Sequence, residues 1–376
     1  MSQVICSNGK RIPELDGLRA FAVAGVVICH MQNFSHTTRG PYWIAEVVTC
    51  LGPVGVDIFF VISGFIITTL LIREKVSVGN VSLTNFYIRR FFRIVPPFGV
   101  YLIALVVIRE FGVVIISSKD LFRSALFLGD MTVFDEHYWL IGHTWSLSVE
   151  EQFYLLFPPL LCVVLAFRER ITFLVLCALY ALCFVSRELA GMASLYFSPL
   201  FGNVGALYNF RYIIVGVIFA IYGHFVLKFI SKSSRMLPIS LGALIILSHL
   251  LEAHCGGMSV SFGALEPCIC GLFVMWFVQN PSRCAPLRWR VVQWIGSCSY
   301  SIYIWQQLFT GPDEIYGRWN LGKSPFAFLA IIGCATASHY IVERPGIRLG
   351  RFACERRASR EANSVLKQKA EVEVCT

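Results

Sequence analysis

Apolar runs long enough to cross a bilayer recur along this chain, and a helix needs about 20 such residues to do so. Ten stretches qualify, at 17–34, 54–72, 95–116, 147–167, 171–189, 208–230, 236–252, 260–279, 291–311 and 325–342. Gly202, Gly205, Arg211 and Gly216 interrupt the fifth to seventh stretches. Hydrophobic residues make up 56% of the chain and charged ones only 15%, where a soluble domain carries about a quarter. The reading is an all-α, polytopic transmembrane helix bundle of about ten spans. It forms one membrane domain over 1–345, followed by a charged tail over 346–376 expected as a surface helix or disorder. The polar opening "MSQVICSNGKRIPELDG" has no apolar signal-peptide core, so no cleavage is expected. The 14 cysteines are scattered without metal-ligand spacing. They read as small hydrophobes, and no metal is expected.

Loop charge sets the orientation. Numbering each loop by the span it follows, the even loops hold Arg73, Lys75, Arg89, Arg90, Arg93, Arg168, Arg170, Lys232, Arg235, Arg283, Arg288 and Arg290. The odd loops hold Arg39, then Lys119 and Arg123 against Asp120, Asp130, Asp135 and Glu136. Basic loops stay cytoplasmic, so both termini are predicted inside. The net charge of +9 is then topology plus attraction to an anionic inner leaflet, with no motif for nucleic acid.

Polar residues inside such runs are costly, at roughly 2.5–3.5 kcal/mol each, and mark function. In "RIPELDGLRAFAVAGVVICHMQ", Arg19 and His30 are eleven residues apart. Eleven steps of ~100° fall about 20° from three full turns, so both share one helix face. They are separated by about 16 Å along it. Alone, that pair also fits a snorkelling arginine and an interfacial histidine. "GPVGVDIFFVISGFIITTLL" carries Asp57 at the depth of His30, where it is expected to orient the imidazole as a base. Ser63 and Gly64, deeper in the same run, suit close helix packing. "NFYIRRFFRIVPPF" groups Arg89, Arg90 and Arg93, with 89 and 93 on one face. They read either as an inner-leaflet anchor or as a phosphate clamp, with Pro96–Pro97 expected to end that helix. "HTWSLSVEEQFYLLFPPLL" carries His143, Trp145, Ser148, Glu150 and Glu151 at the outer start of the fourth span. One of the two adjacent glutamates is expected to face the bundle.

Topology thus predicts two polar layers. His30, Asp57, Glu150, Arg211 and Gln306 form an outer one, and Arg19, Arg89, Arg90 and Arg93 an inner one. Such layers suit a phosphate-bearing substrate gripped inside and chemistry near the outer face. A transporter or flippase of a lipid-linked sugar would also need buried charge, but no internal repeat is visible.

The segments "LDGLRAFAV", "GVDIFFVISGFI", "FYIRRFFRIVP", "HTWSLSVEEQFYLLFP", "SYSIYIWQQ" and "VERP", in that order over 11–345, make the chain similar to the membrane acyltransferase-3 family. The resemblance implies O-acyl transfer, usually of acetyl, from cytoplasmic acyl-CoA to a sugar hydroxyl of a polysaccharide, glycolipid or related glycoside. It needs no bound cofactor and implies a bacterial inner membrane. It makes His30 the catalytic histidine, as general base or acyl carrier, coupled to Arg19, and in the expected site Asp57, Glu150 and Glu151 assist. Ser63, Arg89, Arg90, Arg93, Trp145, Ser148 and Arg211 are the expected binding residues. Many members read "YLWHxP" where this chain has Trp305-Gln306-Gln307-Leu308, so no role carries to Gln306. Some members add a soluble esterase-like domain; here the membrane part is expected to acylate the acceptor itself.

Overall fold

The structure is a computed structural model, described over residues 12–32, 42–130, 139–196, 205–230, 234–255, 260–311 and 326–375. Among these residues every regular element is a helix, and no strand occurs. The elements are α1 (Pro13–Gln32), α2 (Tyr42–Val78), α3 (Leu83–Glu110), α4 (Ser118–Ala125), α5 (Trp139–Gly142), α6 (Thr144–Val164), α7 (Glu169–Tyr196) and α8 (Gly205–Ile230). Then come α9 (Met236–Cys255), α10 (Val260–Gln279), α11 (Arg290–Trp305) with a 3-10 turn Gln306–Leu308, α12 (Ala327–Ser338) with a π turn His339–Glu343, and α13 (Arg344–Cys375).

Each of the ten apolar stretches falls on a helix. Among the described residues, five helices are by length and composition long and apolar enough to cross a membrane: Trp43–Val78, Leu83–Glu110, Trp139–Val164, Glu169–Ser186 and Met236–His254. Large apolar side chains such as Leu155, Leu174, Ile239, Leu265 and Leu329 remain exposed, as a lipid-facing surface requires. Several stretches are only part of their helix, α2 reaching 37 residues. The expected break at Pro96–Pro97 is absent, since α3 runs through both prolines.

Continuity through proline follows from where the freed carbonyls go. A proline at position i leaves the carbonyl of i−4 without its helical donor. Pro53 frees Thr49 O, and the Cys29 thiol of α1 takes it at 3.3 Å. Pro159 frees Leu155 O, which accepts from the Tyr87 hydroxyl of α3 at 2.8 Å. Pro267 frees Gly263 O, and the Arg211 guanidinium of α8 donates to it. These prolines thereby join helices instead of ending them.

Helices α1, α2, α8 and α11 form the centre. Backbone closeness fixes their spacing. A Cβ on Gly64 would stand 2.0 Å from Ile213 O, and one on Gly216 would stand 2.2 Å from Val61 O, so α2 and α8 touch reciprocally. Between these tightly packed contacts the bundle opens into two cavities. The start of α13 lies along α3, where a Cβ on Gly346 would stand 2.3 Å from Phe92 O, the carbonyl freed by Pro96.

Candidate active site

The first cavity, of about 90 Å³, is the arginine chamber. Arg19 of α1, Arg90 and Arg93 of α3, Ser63 of α2, and Glu150 and Tyr154 of α6 line it. Arg90 stacks on Tyr154, its guanidinium carbon 4.4 Å from the ring centre, which fixes a cation against a π face. The Ser63 and Tyr154 hydroxyls both donate to Glu150 Oε1. The chamber thus presents three guanidinium groups around one carboxylate.

The second cavity, of about 580 Å³, is the histidine chamber. His30, Asp57, Trp139, His143, Trp145, Arg211, His249 and Glu266 are among its walls. Val56 and Tyr303 line both cavities, so the two meet there. Because α1 carries Arg19 into one and His30 into the other, it is the shared wall along which they are stacked.

His30 Nδ1 donates to Gln306 Oε1 at 2.8 Å, and its ring packs edge-on against Trp139, centroids 5.2 Å apart. In a neutral imidazole held this way, Nε2 is the basic nitrogen. The expected partner, Asp57, is engaged elsewhere. Its Oδ2 lies 3.0 Å from His249 Nε2, which is also 2.9 Å from Glu266 Oε1. The 3-10 turn after α11 brings Gln306 to His30, whereas α9 and α10 deliver His249 and Glu266 to Asp57. Arg211, 1% exposed, donates to Tyr208 O at 2.7 Å and to Gly263 O, with Tyr208 beneath its guanidinium at 3.2 Å. Two of its donors are thus taken by backbone carbonyls at the chamber wall.

Asp57, His249 and Glu266 are also the one group among the described residues with the donor set for a metal ion, their atoms lying within 4.8 Å of one another. Arg211 stands near enough to Asp57 to act on it electrostatically. His249, between the two carboxylates, and Arg211, beside Asp57, are the protein's own groups able to balance that charge.

Other expected residues are placed differently. Glu150 does not share the His30 layer; it lies two turns into α6 from His143, at the arginine chamber. Glu151, its neighbour, feels Arg90 and Arg93, and its Oε1 makes no hydrogen bond among the described residues. Arg89 turns away to pair with Glu74 at 3.2 Å, a carboxylate that also accepts from Ser82 N, so it closes the α2–α3 loop. The cavity-facing pair is Arg90 and Arg93, three residues apart. Ser148, fully buried, accepts from Gly129 N at 3.1 Å and donates to Thr144 O at 2.8 Å. It holds the segment after α4 against α6 and lines neither cavity. Trp145 does line the histidine chamber, edge-on to Phe60.

Sequence reasoning missed His249 and Glu266, although each is an ionisable residue within an apolar stretch. It placed Gln306 in the layer of His30 but gave it no role, because a neutral amide is unremarkable until it faces an imidazole.

Residues 12–342 match the family described as an acyltransferase domain. Among curated proteins, the chain is 26% identical over 386 residues to the "Putative peptidoglycan O-acetyltransferase YrhL" of Bacillus subtilis, covering 89% of this chain and 54% of that protein. It is 35% identical over 159 residues to the O-acetyltransferase OatA of Staphylococcus aureus, covering 39% of this chain and 24% of OatA. The chain thus spans from a quarter to about half the length of these relatives. No solved structure matches it.

Proposed function

This chain belongs to the acyltransferase-3 family, and from that premise and its two joined chambers we propose a membrane O-acetyltransferase that moves acetyl from cytoplasmic acyl-CoA to a glycan hydroxyl. The observation that carries the reading is the α1 helix itself, with Arg19 in a cationic chamber, His30 in a roomier one, and Val56 and Tyr303 common to both. Coenzyme A phosphates would sit at Arg90, Arg93 and Arg19, since guanidinium groups present paired donors to phosphate oxygens. The pantetheine arm would pass Val56 and Tyr303 and bring the thioester to His30. Trp139, Trp145, Tyr208, Tyr212, Asn209 and Glu252 give the histidine chamber the aromatic faces and polar edges that suit a sugar ring.

In the transfer, His30 Nε2 takes the hydroxyl proton while the oxygen attacks the thioester carbonyl. The tetrahedral adduct expels the thiolate, which recovers the proton from the imidazolium. Gln306 supports the charged ring by accepting from Nδ1. Glu150, held by Ser63 and Tyr154, sets the arginines of the donor chamber. The accompanying topology has ten spans, both termini and the arginine chamber on the cytoplasmic side, in a bacterial cell membrane.

Purified protein in nanodiscs, given acetyl-CoA with a labelled acetyl group and soluble peptidoglycan fragments, should produce O-acetylated glycan seen by mass spectrometry. Coenzyme A release with no acetylated glycan over a broad acceptor panel refutes the acceptor assignment. Cysteine labelling from each side of sealed vesicles tests the topology, and outside labelling at position 90 would overturn it.

A further inference from the structure

Two carboxylates on the histidine chamber wall are left unused by the transfer step. Asp57 of α2 and Glu266 of α10 are 6% and 3% exposed. Each sets one oxygen against His249 Nε2 of α9, Asp57 Oδ2 at 3.0 Å and Glu266 Oε1 at 2.9 Å. Glu266 Oε1 is sealed in beside the imidazole. The other oxygens, Asp57 Oδ1 and Glu266 Oε2, take no hydrogen bond from the described residues and are not sealed. Both side chains line the chamber, so these two spare oxygens open into it. A single imidazole fixes both carboxyl groups, which leaves the spare oxygens pre-set for a ligand. An ionised carboxylate can only accept hydrogen bonds.

Charge points the same way. The chamber wall carries Asp57, Glu252 and Glu266 against Arg211 and His249. His249 already stands between two carboxylates, and Arg211 gives two donors to Tyr208 O and Gly263 O. With both cations charged, three carboxylates still leave the wall negative. A sugar that brings O–H or N–H donors meets acceptors there. A sugar that brings a carboxylate meets like charge and no donor to replace the water it gives up. We propose that Asp57 and Glu266 form a specificity subsite that accepts from the hydroxyl or N–H groups of the acceptor sugar and rejects a carboxylate on it. The inference deepens the glycan-acceptor reading above and rests on it. It identifies the acceptor as a neutral or amine-bearing sugar unit, not an acidic one.

Soluble peptidoglycan fragments supply a matched pair of probes. One is a muramoyl sugar whose lactyl group ends in a free carboxylate, and the other is the same sugar with that carboxyl capped as an amide. With labelled acetyl-CoA, the ratio of kcat/KM for amide over acid is read within one preparation, so it does not depend on how much protein is folded. Wild-type protein should favour the amide at least about ten-fold. Asp57→Asn and Glu266→Gln each keep an oxygen for His249 and replace the spare oxygen with an uncharged donor. Each should bring the ratio at least about three-fold closer to one. A wild-type ratio near one, or a ratio that both variants leave unchanged, overturns the subsite. Wild-type protein that releases coenzyme A yet acetylates neither fragment overturns the acceptor reading instead, and the inference falls with it.

Discussion

The two chambers differ in what their polar groups are tied to. In the arginine chamber, Glu150 is occupied by two hydroxyls and Arg90 is stacked on a ring, yet three guanidinium groups still surround a small space. In the histidine chamber, His249 pairs with Asp57 and Glu266, Arg211 donates to backbone carbonyls, and His30 is held through its Nδ1 by Gln306. On the function proposed above, the first space takes a fixed anion and the second a sugar ring. Size agrees, since about 90 Å³ holds a narrow group and about 580 Å³ accommodates a ring.

That contrast is broken most directly at His30. His30→Ala should lower kcat at least about a hundred-fold while leaving insertion and donor affinity intact, because proton transfer is lost and phosphate contacts are not. Initial rates against acetyl-CoA concentration check it, and near-normal kcat in well-expressed protein would refute the assignment. Next in size is Gln306→Leu, which removes the oxygen that orients His30. It should cost about ten-fold or more in kcat, with Gln306→Glu retaining much of the activity. Equal activity in the leucine variant would mean that the imidazole is held by its Trp139 contact alone.

On the other side, Arg93→Ala should raise the acetyl-CoA KM about ten-fold, since one charge-assisted contact contributes roughly 1.5–3 kcal/mol. Arg89→Ala should change it by less than about two-fold, because an exposed pair with Glu74 is worth under about 1 kcal/mol. Titration calorimetry with coenzyme A measures both, and equal losses would show a diffuse basic patch instead of a chamber. The smallest effect concerns Asp57, His249 and Glu266. Dialysis against EDTA should leave activity unchanged, because protein cations already balance those carboxylates. Loss of activity restored by a divalent ion would overturn that balance.

Apolar run length determined the helical class and where the apolar helices lie, and the order of the motifs determined the family; the charged 32-residue α13 was left open between surface helix and disorder. Run length does so because a span must satisfy its backbone internally, whatever its neighbours. The shared face of Arg19 and His30 was legible for a similar reason: it depends on one helix and its period. Partners were another matter. Asp57 was assigned to His30 by depth, and Glu150 to the same layer, but depth along a span does not say which way a side chain turns. The structure gives Asp57 to His249, which lies 192 residues away in sequence, and His30 to Gln306, 276 residues away. Pro96 and Pro97 looked like a helix end because a sequence shows the lost donor and hides the neighbouring helix at the freed carbonyl. Only packing decided these things, through close approaches such as Gly64 to Ile213 O that set which faces of which helices meet.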